Sequence, residues 1–524
     1  MLLTPRAIRM GTALVAAAAS TALLAASAPP PAVPLGIGDR LFPHLGNPGY
    51  DVESYDIAFT YHGDNKKPLD AVTKIEATAT ARLEQVNLDF AHGTVRSVEV
   101  NGRPARFDTS DEDLIVTPET AVPEGAPLEI TVRHTSNPVP GKEEGGWVQT
   151  KDGLALANQA DAGHRVFPSN DHPSDKARFT FRVTAPKALT VVANGVPFLK
   201  MRHGADTSWS YHTLHPMATE LAQVSIGRSA VLHREGPHGL PVRDVVPAKD
   251  RKVLEPWLKK TPAQLAWMEG KVGRYPFENY GLLIAQARTG FELETQTLSL
   301  FEKDIFTEPA YPSWYIDSIM VHEMAHQWFG DSVSPRTWSD LWLNEGHASW
   351  YEALYAQEKG HQSMAKRMRE AYRASDGWRA AGGPPAAPKG PKPGQKISLF
   401  RPVVYDGSSL VLYALRQEIG TPAFERLERD WVRTHRDGTA STADFISLAS
   451  QTSGRDLRGF FRAWLYGTKT PPMPGHPDWK SAPVVKAKPT LVEKAKPALV
   501  EKAKPALVEK AKPAPVEKAK PAKG

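Results

Sequence analysis

His322-Glu323-Met324-Ala325-His326, followed after eighteen intervening residues by Glu345, restricts the fold of this chain more than any other feature. Histidines four residues apart on a helix project from one face, about one turn from each other. The stretch Ser313 to Phe329 reads as a mostly apolar helix: Ile316, Ile319, Met320 and Trp328 pack around the polar trio, and Gly330 ends it. A second helix is expected from Ser339 as N-cap to Gly360, with Glu345 in its second turn. The fold must therefore set two helices, joined by a short turn, face to face. Two imidazoles and one carboxylate then share a centre and leave a fourth position open to water, the pattern of a catalytic zinc rather than a structural one. Glu323 lies beside the ligands but off their axis, which makes it the candidate base for metal-assisted hydrolysis. The expectation is one Zn²⁺ per chain, held by His322, His326 and Glu345.

At 524 residues the chain exceeds one ordinary core, so two domains with tails are expected. Residues 1–28 read as a secretory signal peptide: Arg6 and Arg9 precede an apolar run from Gly11 to Ala25 that ends in Ala26-Ser27-Ala28. The run is short for a membrane span, and no other long apolar run follows, so a secreted or cell-envelope protein with no transmembrane segment is expected. Cysteine is absent, which rules out disulfides, thiol chemistry and a lipidated cysteine at the cleavage site. The net charge of +6 is unevenly spread. Residues 481–524 hold eleven Lys and four Glu, and the leader adds +2, which leaves −3 for the rest. This distribution argues against nucleic acid as a partner. The tail repeats Ala-Lys-Pro-Ala-Leu-Val-Glu-Lys with small variations from Ala487 to Lys518 and is expected to be disordered. It is either an inert solvated tail or an adhesive for anionic envelope polymers.

Between these ends the fold class is α+β. Residues 29–235 alternate in short stretches such as Tyr55 to Tyr61 and Lys74 to Ala81, and Val98-Glu99-Val100 runs into the turn Asn101-Gly102. An antiparallel β-sheet domain is expected there. Residues 236–480 read as mostly helical, with one helix opening at Thr261-Pro262, another near Gln362 to Arg373 and about three more to Tyr466. The Pro/Gly/Lys-rich stretch Ala381 to Gln395 reads as a mobile surface loop.

The spacing also separates classes of zinc peptidase. A metzincin needs Gly and His three and six positions beyond His326, where Phe329 and Ser332 stand. A thermolysin-like enzyme usually has Asp four residues after its ligand Glu, where Ser349 stands. The eighteen-residue gap and the string Trp342-Leu343-Asn344-Glu345-Gly346 instead resemble the aminopeptidase N-like zinc metallopeptidases, which are gluzincins. The resemblance covers roughly residues 45–480. It implies a thermolysin-like catalytic domain after the sheet domain, in a short form without the C-terminal helical superhelix of larger members.

The resemblance also implies further site residues. Gly290-Phe291-Glu292-Leu293-Glu294 stands where the family carries Gly-x-Met-Glu-Asn, 28 positions before His322, so Glu294 is expected to bind the substrate's free α-amine. Phe291, Leu293 and Thr295 depart from that pattern. Gln159, nine residues before Pro168, matches a Gln or Glu that helps hold the amine. Tyr405, 83 residues after His322, matches a tyrosine that donates to the oxyanion. Asp340 and Asp317 are candidate partners of the ligand imidazoles, from proximity in sequence alone. His347, where the family usually has Phe, is expected to pack near the metal. The function implied is a zinc aminopeptidase acting on peptides with a free N-terminus. The alternatives are a zinc endopeptidase, or a non-catalytic envelope-binding protein on a peptidase scaffold.

Overall fold

The computed structural model describes residues 35–482, apart from 143, 288, 309 and 310. The leader 1–28 and nearly all of the repeat tail lie outside the described residues.

Alternation of apolar and polar residues makes the first large element a sheet. Tyr50–Thr60 buries Tyr55, Ile57 and Phe59 and turns the residues between them outward. It pairs antiparallel with Leu69–Ala79, which pairs with Pro127–Ser136, inside a ten-stranded sheet. On its other side Tyr50–Thr60 runs parallel to Arg178–Pro186, with Ile57 opposite Phe181. The other pairs of this sheet are antiparallel, as expected, and this one pair departs from the pattern. The long stretch of chain between the two strands gives the crossover that a parallel pair requires. A second sheet orders Thr190–Ala193, Val224–Gly227, Leu154–Ala157 and Gly146–Gln149. Leu154–Ala157 is buried throughout and so reads as an apolar run without alternation.

A third, four-stranded sheet crosses the sequence boundary expected near residue 235. Ser229–Glu235 pairs antiparallel with Pro241–Pro247, which continues in parallel to Leu282–Ala285 and Ser299–Glu302.

The helices are α1 (Arg251–Leu258), α2 (Thr261–Val272), the single turn α3 (Asp304–Thr307), α4 (Ser313–Ala325), α5 (Trp342–Glu358), α6 (Met364–Gly382), α7 (Asp406–Ile419), α8 (Thr421–Thr434), α9 (Thr442–Ser453) and α10 (Arg458–Tyr466). None of the described helices is long and apolar enough to cross a membrane. One apolar core joins the helices to the edge of the third sheet, and a second fills the sheet domain. A third, smaller cluster packs Leu41, Phe42 and Leu45 against Trp338, Leu399 and Val404, which fixes the loop leading into α7.

The stretch expected to be a mobile loop is tied down. Helix α6 runs on to Gly382. The Lys389 ammonium donates to the carbonyls of Ala380 and Ala381, at 2.7 and 3.0 Å, and Ala386 N–H donates to Leu465 O. Just beyond, Lys396 pairs with the buried Asp161, two residues from Gln159.

Candidate active site

Helix α4 carries the first two ligands. It is buried almost all round from Tyr315 onward, so its polar residues face protein rather than solvent. The helix ends at Ala325, earlier than the sequence suggests, but His326 keeps helical backbone angles (φ −56°, ψ −29°) and so stays in phase with His322. The chain then turns at Gly330, whose φ of +134° favours glycine. A Cβ there would stand 3.2 Å from the Asn344 amide nitrogen and 3.4 Å from His326 Nδ1. This turn leaves the Phe329 carbonyl facing the His326 ring.

Helix α5 brings the third ligand. It is preceded by the 3-10 turn Trp338–Asp340, capped reciprocally by Thr337 and Asp340, so Glu345 falls in the first turn of the helix proper and not the second. Gly346 allows α5 and α7 to meet closely, since a Cβ there would stand 2.8 Å from Ser408 Cβ.

Glu345 Oε2 lies 3.3 Å from His322 Nε2 and 3.5 Å from His326 Nε2. It is buried and has no hydrogen-bond partner. Ligands about 2.0–2.2 Å from a tetrahedral zinc stand roughly 3.3–3.6 Å from one another, so these spacings fit the ion. Both ring nitrogens on the far side are spoken for. His326 Nδ1–H donates to the Phe329 carbonyl at 3.1 Å, and His322 Nδ1–H donates to Glu352 Oε2 at 3.1 Å. Neither oxygen can donate, so each Nδ1 carries the proton and each Nε2 presents its lone pair to the centre. Three buried ligand atoms of the right types at these distances therefore fit a zinc ion.

The electrostatics agree. Burial alone would raise the Glu345 carboxyl, but the two histidines beside it hold it at about 2. Burial would lower His322, yet Glu345 and Glu352 push it up to about 9. The carboxylates draw positive charge onto the imidazoles, and a dication held by the same Nε2 and Oε2 atoms would take the place of those protons. Glu323 is buried beside the ligands, and its carboxyl is raised well above the usual range, first by burial and then by Glu294 and Glu292.

The expected amine end comes together at the same place. Glu294, Glu323 and His326 bring ligand atoms within 4.8 Å of one another. Gln159 Nε2 donates to Glu294 Oε1 at 2.7 Å, across 135 residues of sequence. The segment that carries Glu294 is fixed to the end of α4 by Gln327, whose Nε2 donates to the Glu294 carbonyl at 2.9 Å and to Asp331 Oδ2 at 2.8 Å. Tyr405 precedes the first turn of α7, with its ring centroid 6.0 Å from that of His322. Burial and the surrounding carboxylates raise its phenol well above the ordinary value, so it stays a hydrogen-bond donor.

Residues 258–464 match the peptidase family M1 domain. The chain carries an M1 peptidase domain. It is 26% identical over 321 residues to aminopeptidase N of Streptomyces lividans, an alignment covering 57% of this chain and 36% of that protein. To human glutamyl aminopeptidase it is 23% identical over 332 residues, 60% of this chain and 34% of the relative. The chain thus spans between about a third and just over half the length of the curated relatives it matches. The fold is that of M1 zinc metallopeptidase from Deinococcus radiodurans, with a TM-score of 0.71 at 24% identity over 84% of this chain and 98% of that one. A mutant of that protein bound to a Tyr-Ser-Ala substrate superposes with a TM-score of 0.73, over 84% of this chain and 100% of that one.

The partners of the two candidate ligand histidines are not those expected from sequence proximity. Asp340 accepts from Thr337 and from Thr442 N–H and Oγ1, and Asp317 pairs with Lys260 at 2.6 Å. The residue that does reach His322 is Glu352, seven positions after Glu345 and so two turns along the same face of α5, a spacing visible in the sequence. Its other oxygen accepts from Arg367 Nη1 at 2.7 Å, and Arg367 Nε donates to Asp406 Oδ1 at 2.9 Å, next to Tyr405. His347 packs behind the site: its ring stacks on Phe329 at 4.3 Å and its Nδ1–H donates to Leu343 O. Of the three departures beside Glu294, Leu293 and Thr295 are fully buried in the protein, which leaves Phe291 as the partly exposed one.

Proposed function

We propose that this protein is a zinc-dependent aminopeptidase that removes the N-terminal residue from peptides. The observation that carries the reading is the Gln159–Glu294 pair, an amide and a carboxylate 2.7 Å apart, set against a His-His-Glu triad that fits zinc. A carboxylate at that place rewards a free ammonium and penalises a blocked one. Zinc, when bound by His322, His326 and Glu345, acts as a Lewis acid on the scissile carbonyl and acidifies water.

The rest of the chemistry falls to side chains. Glu294 and Gln159 hold the α-amine and so fix which peptide bond reaches the centre. Glu323 takes a proton from the attacking water and returns it to the leaving nitrogen. Burial and neighbouring carboxylates favour its protonated form, which suits the second half of that cycle. Tyr405 donates its phenolic proton in a hydrogen bond to the carbonyl oxygen as negative charge develops. The Arg-led apolar leader supports export, and the Lys/Pro repeats support adhesion to anionic envelope polymers.

A fluorogenic aminoacyl amide compared with its N-acetylated twin, with and without chelator, tests the reading. Cleavage of the free amine alone, abolished by chelation, is expected. Cleavage of the acetylated substrate would indicate an endopeptidase, and cleavage of neither a scaffold. In the same assay Glu323→Gln should keep its metal and lose at least roughly a hundredfold in turnover.

A further inference from the structure

The sheet domain sends a second carboxylate into the amine end of the site. Glu220 sits in the 3-10 turn Thr219–Leu221 and is 1% exposed. Its Oε2 has no hydrogen-bond partner. The turn is held on both sides: Thr219 Oγ1 donates to Asp171 Oδ1 at 2.6 Å, and Asn194 Nδ2 donates both to Leu221 O at 3.1 Å and to Gln296 O at 2.6 Å. The second of those bonds ties the turn to the segment that carries Glu294.

Glu220 faces Gln159 and Glu294, the two groups that hold the substrate amine in the reading above. Both act on its carboxyl: the Gln159 amide favours the anion and the Glu294 charge opposes it. Asp331 lies close to both carboxylates. Lys176 donates to the carbonyls of Asp331 and Ser332 at 2.7 and 3.0 Å, and burial lowers its ammonium to about 8, which weakens it as a counter-charge. His326, the other nearby cation, belongs to the metal set. Burial and the Glu294 charge push the Glu220 carboxyl well above its ordinary range, and a positive charge placed beside the two carboxylates would bring it back down.

An α-ammonium supplies that charge and has three N–H donors to place. We propose that Glu220 is a further acceptor for the substrate's α-ammonium, alongside Glu294 and Gln159, and that it makes the site select unsubstituted primary amines over N-methylated or proline N-termini. The proposal rests on the aminopeptidase reading and extends it from "free amine" to "primary amine". A site built to receive each N–H rejects an analogue lacking one, because a buried acceptor is then left unpaired.

The test uses zinc-loaded full-length protein and two measurements. The first is steady-state hydrolysis of the best-cleaved aminoacyl amide by wild type and Glu220→Gln. Loss of a charge-assisted bond made equally in ground and transition states should raise KM roughly tenfold or more and leave kcat within about threefold. The second is calorimetric titration with leucine amide and N-methyl-leucine amide in a Glu323→Gln background, which binds without turnover. With Glu220 intact the primary amine should be preferred by roughly tenfold or more, and the preference should collapse when Glu220→Gln is added. Unchanged KM and an unchanged preference in Glu220→Gln would overturn the proposal, since Gln copies the shape of a neutral, purely structural Glu220. If Glu220→Gln does not fold, Glu220→Asp keeps the charge but withdraws it by one methylene, and wild-type preference there overturns the proposal equally. Failure of wild type to cleave any free aminoacyl amide sinks the aminopeptidase reading separately, while the calorimetric preference still judges Glu220.

Discussion

Glu352→Gln is the substitution that most directly probes how this site holds its metal. Glu352 is buried, with one oxygen taking His322 Nδ1–H at 3.1 Å and the other taking Arg367 at 2.7 Å. Burial would raise this carboxyl, but Arg367 and His322 hold it at about 2, so it is an anion at any working pH. Gln preserves the volume but offers one oxygen and one NH₂. Arg367 can only donate, so the oxygen is needed there, and the NH₂ then faces the His322 N–H donor to donor. The imidazole escapes by moving its proton to Nε2, which is the atom that must present a lone pair to zinc. Loss of such a partner costs about 10–100-fold in metal affinity, or roughly 1.4–2.7 kcal/mol. Competition for zinc against a chromophoric chelator, on protein verified as folded by its thermal transition, measures this directly. Zinc affinity within about twofold of wild type would refute the claim that Glu352 sets the tautomer of His322.

Two further outcomes follow from the same geometry. Tyr405→Phe should lower kcat more than it changes KM, as expected for a donor that strengthens its bond only in the transition state; a pure KM effect would remove Tyr405 from that role. His164 is buried against Asp171 at 2.6 Å and Glu112 at 3.7 Å; burial would lower it, but the two carboxylates raise it to about 10. Because the folded value lies above the unfolded one, near 6.5, the stability it contributes is complete below about pH 6.5 and is lost as pH rises through about 10. His164→Gln should therefore be less stable than wild type by roughly 3–5 kcal/mol at pH 6 in urea unfolding, with the gap closing toward pH 10. A gap that stays constant with pH would contradict the assignment.

The two histidines were legible in the sequence because helix periodicity fixes where residues four apart must point, and Glu345 because its spacing placed it early in a second helix that a short turn folds back on the first. Glu352 obeys the same periodicity relative to Glu345, so it too was within reach of the sequence. Glu220 and Arg367 were not. Their places depend on how a turn of the sheet domain and a neighbouring helix dock against the centre, and no local spacing encodes that. The parallel pairing of Tyr50–Thr60 with Arg178–Pro186 was hidden for a similar reason, since alternation shows that a segment is a strand but not which way its neighbour runs. Asp340 and Asp317 show the opposite error: nearness along the chain put them beside the histidines, while capping and a lysine claimed them. The proline-rich stretch Ala381 to Gln395 read as loose because composition reports the lack of regular structure and says nothing of the backbone carbonyls available to its lysine.

The ladder between Ser229–Glu235 and Pro241–Pro247 bears on how such a protein can be taken apart. Seven residue pairs join the two strands, so a cut in the loop between them divides one sheet instead of separating two modules. A fragment starting at residue 236 would present the bare edge of Pro241–Pro247 to solvent, a template for pairing with other chains. It would also lack Gln159 and Glu220, two of the three groups proposed to hold the substrate's α-amine. Metal chemistry and amine recognition are thus folded as one object, and an attempt to exchange one while keeping the other has to carry the shared sheet along with it.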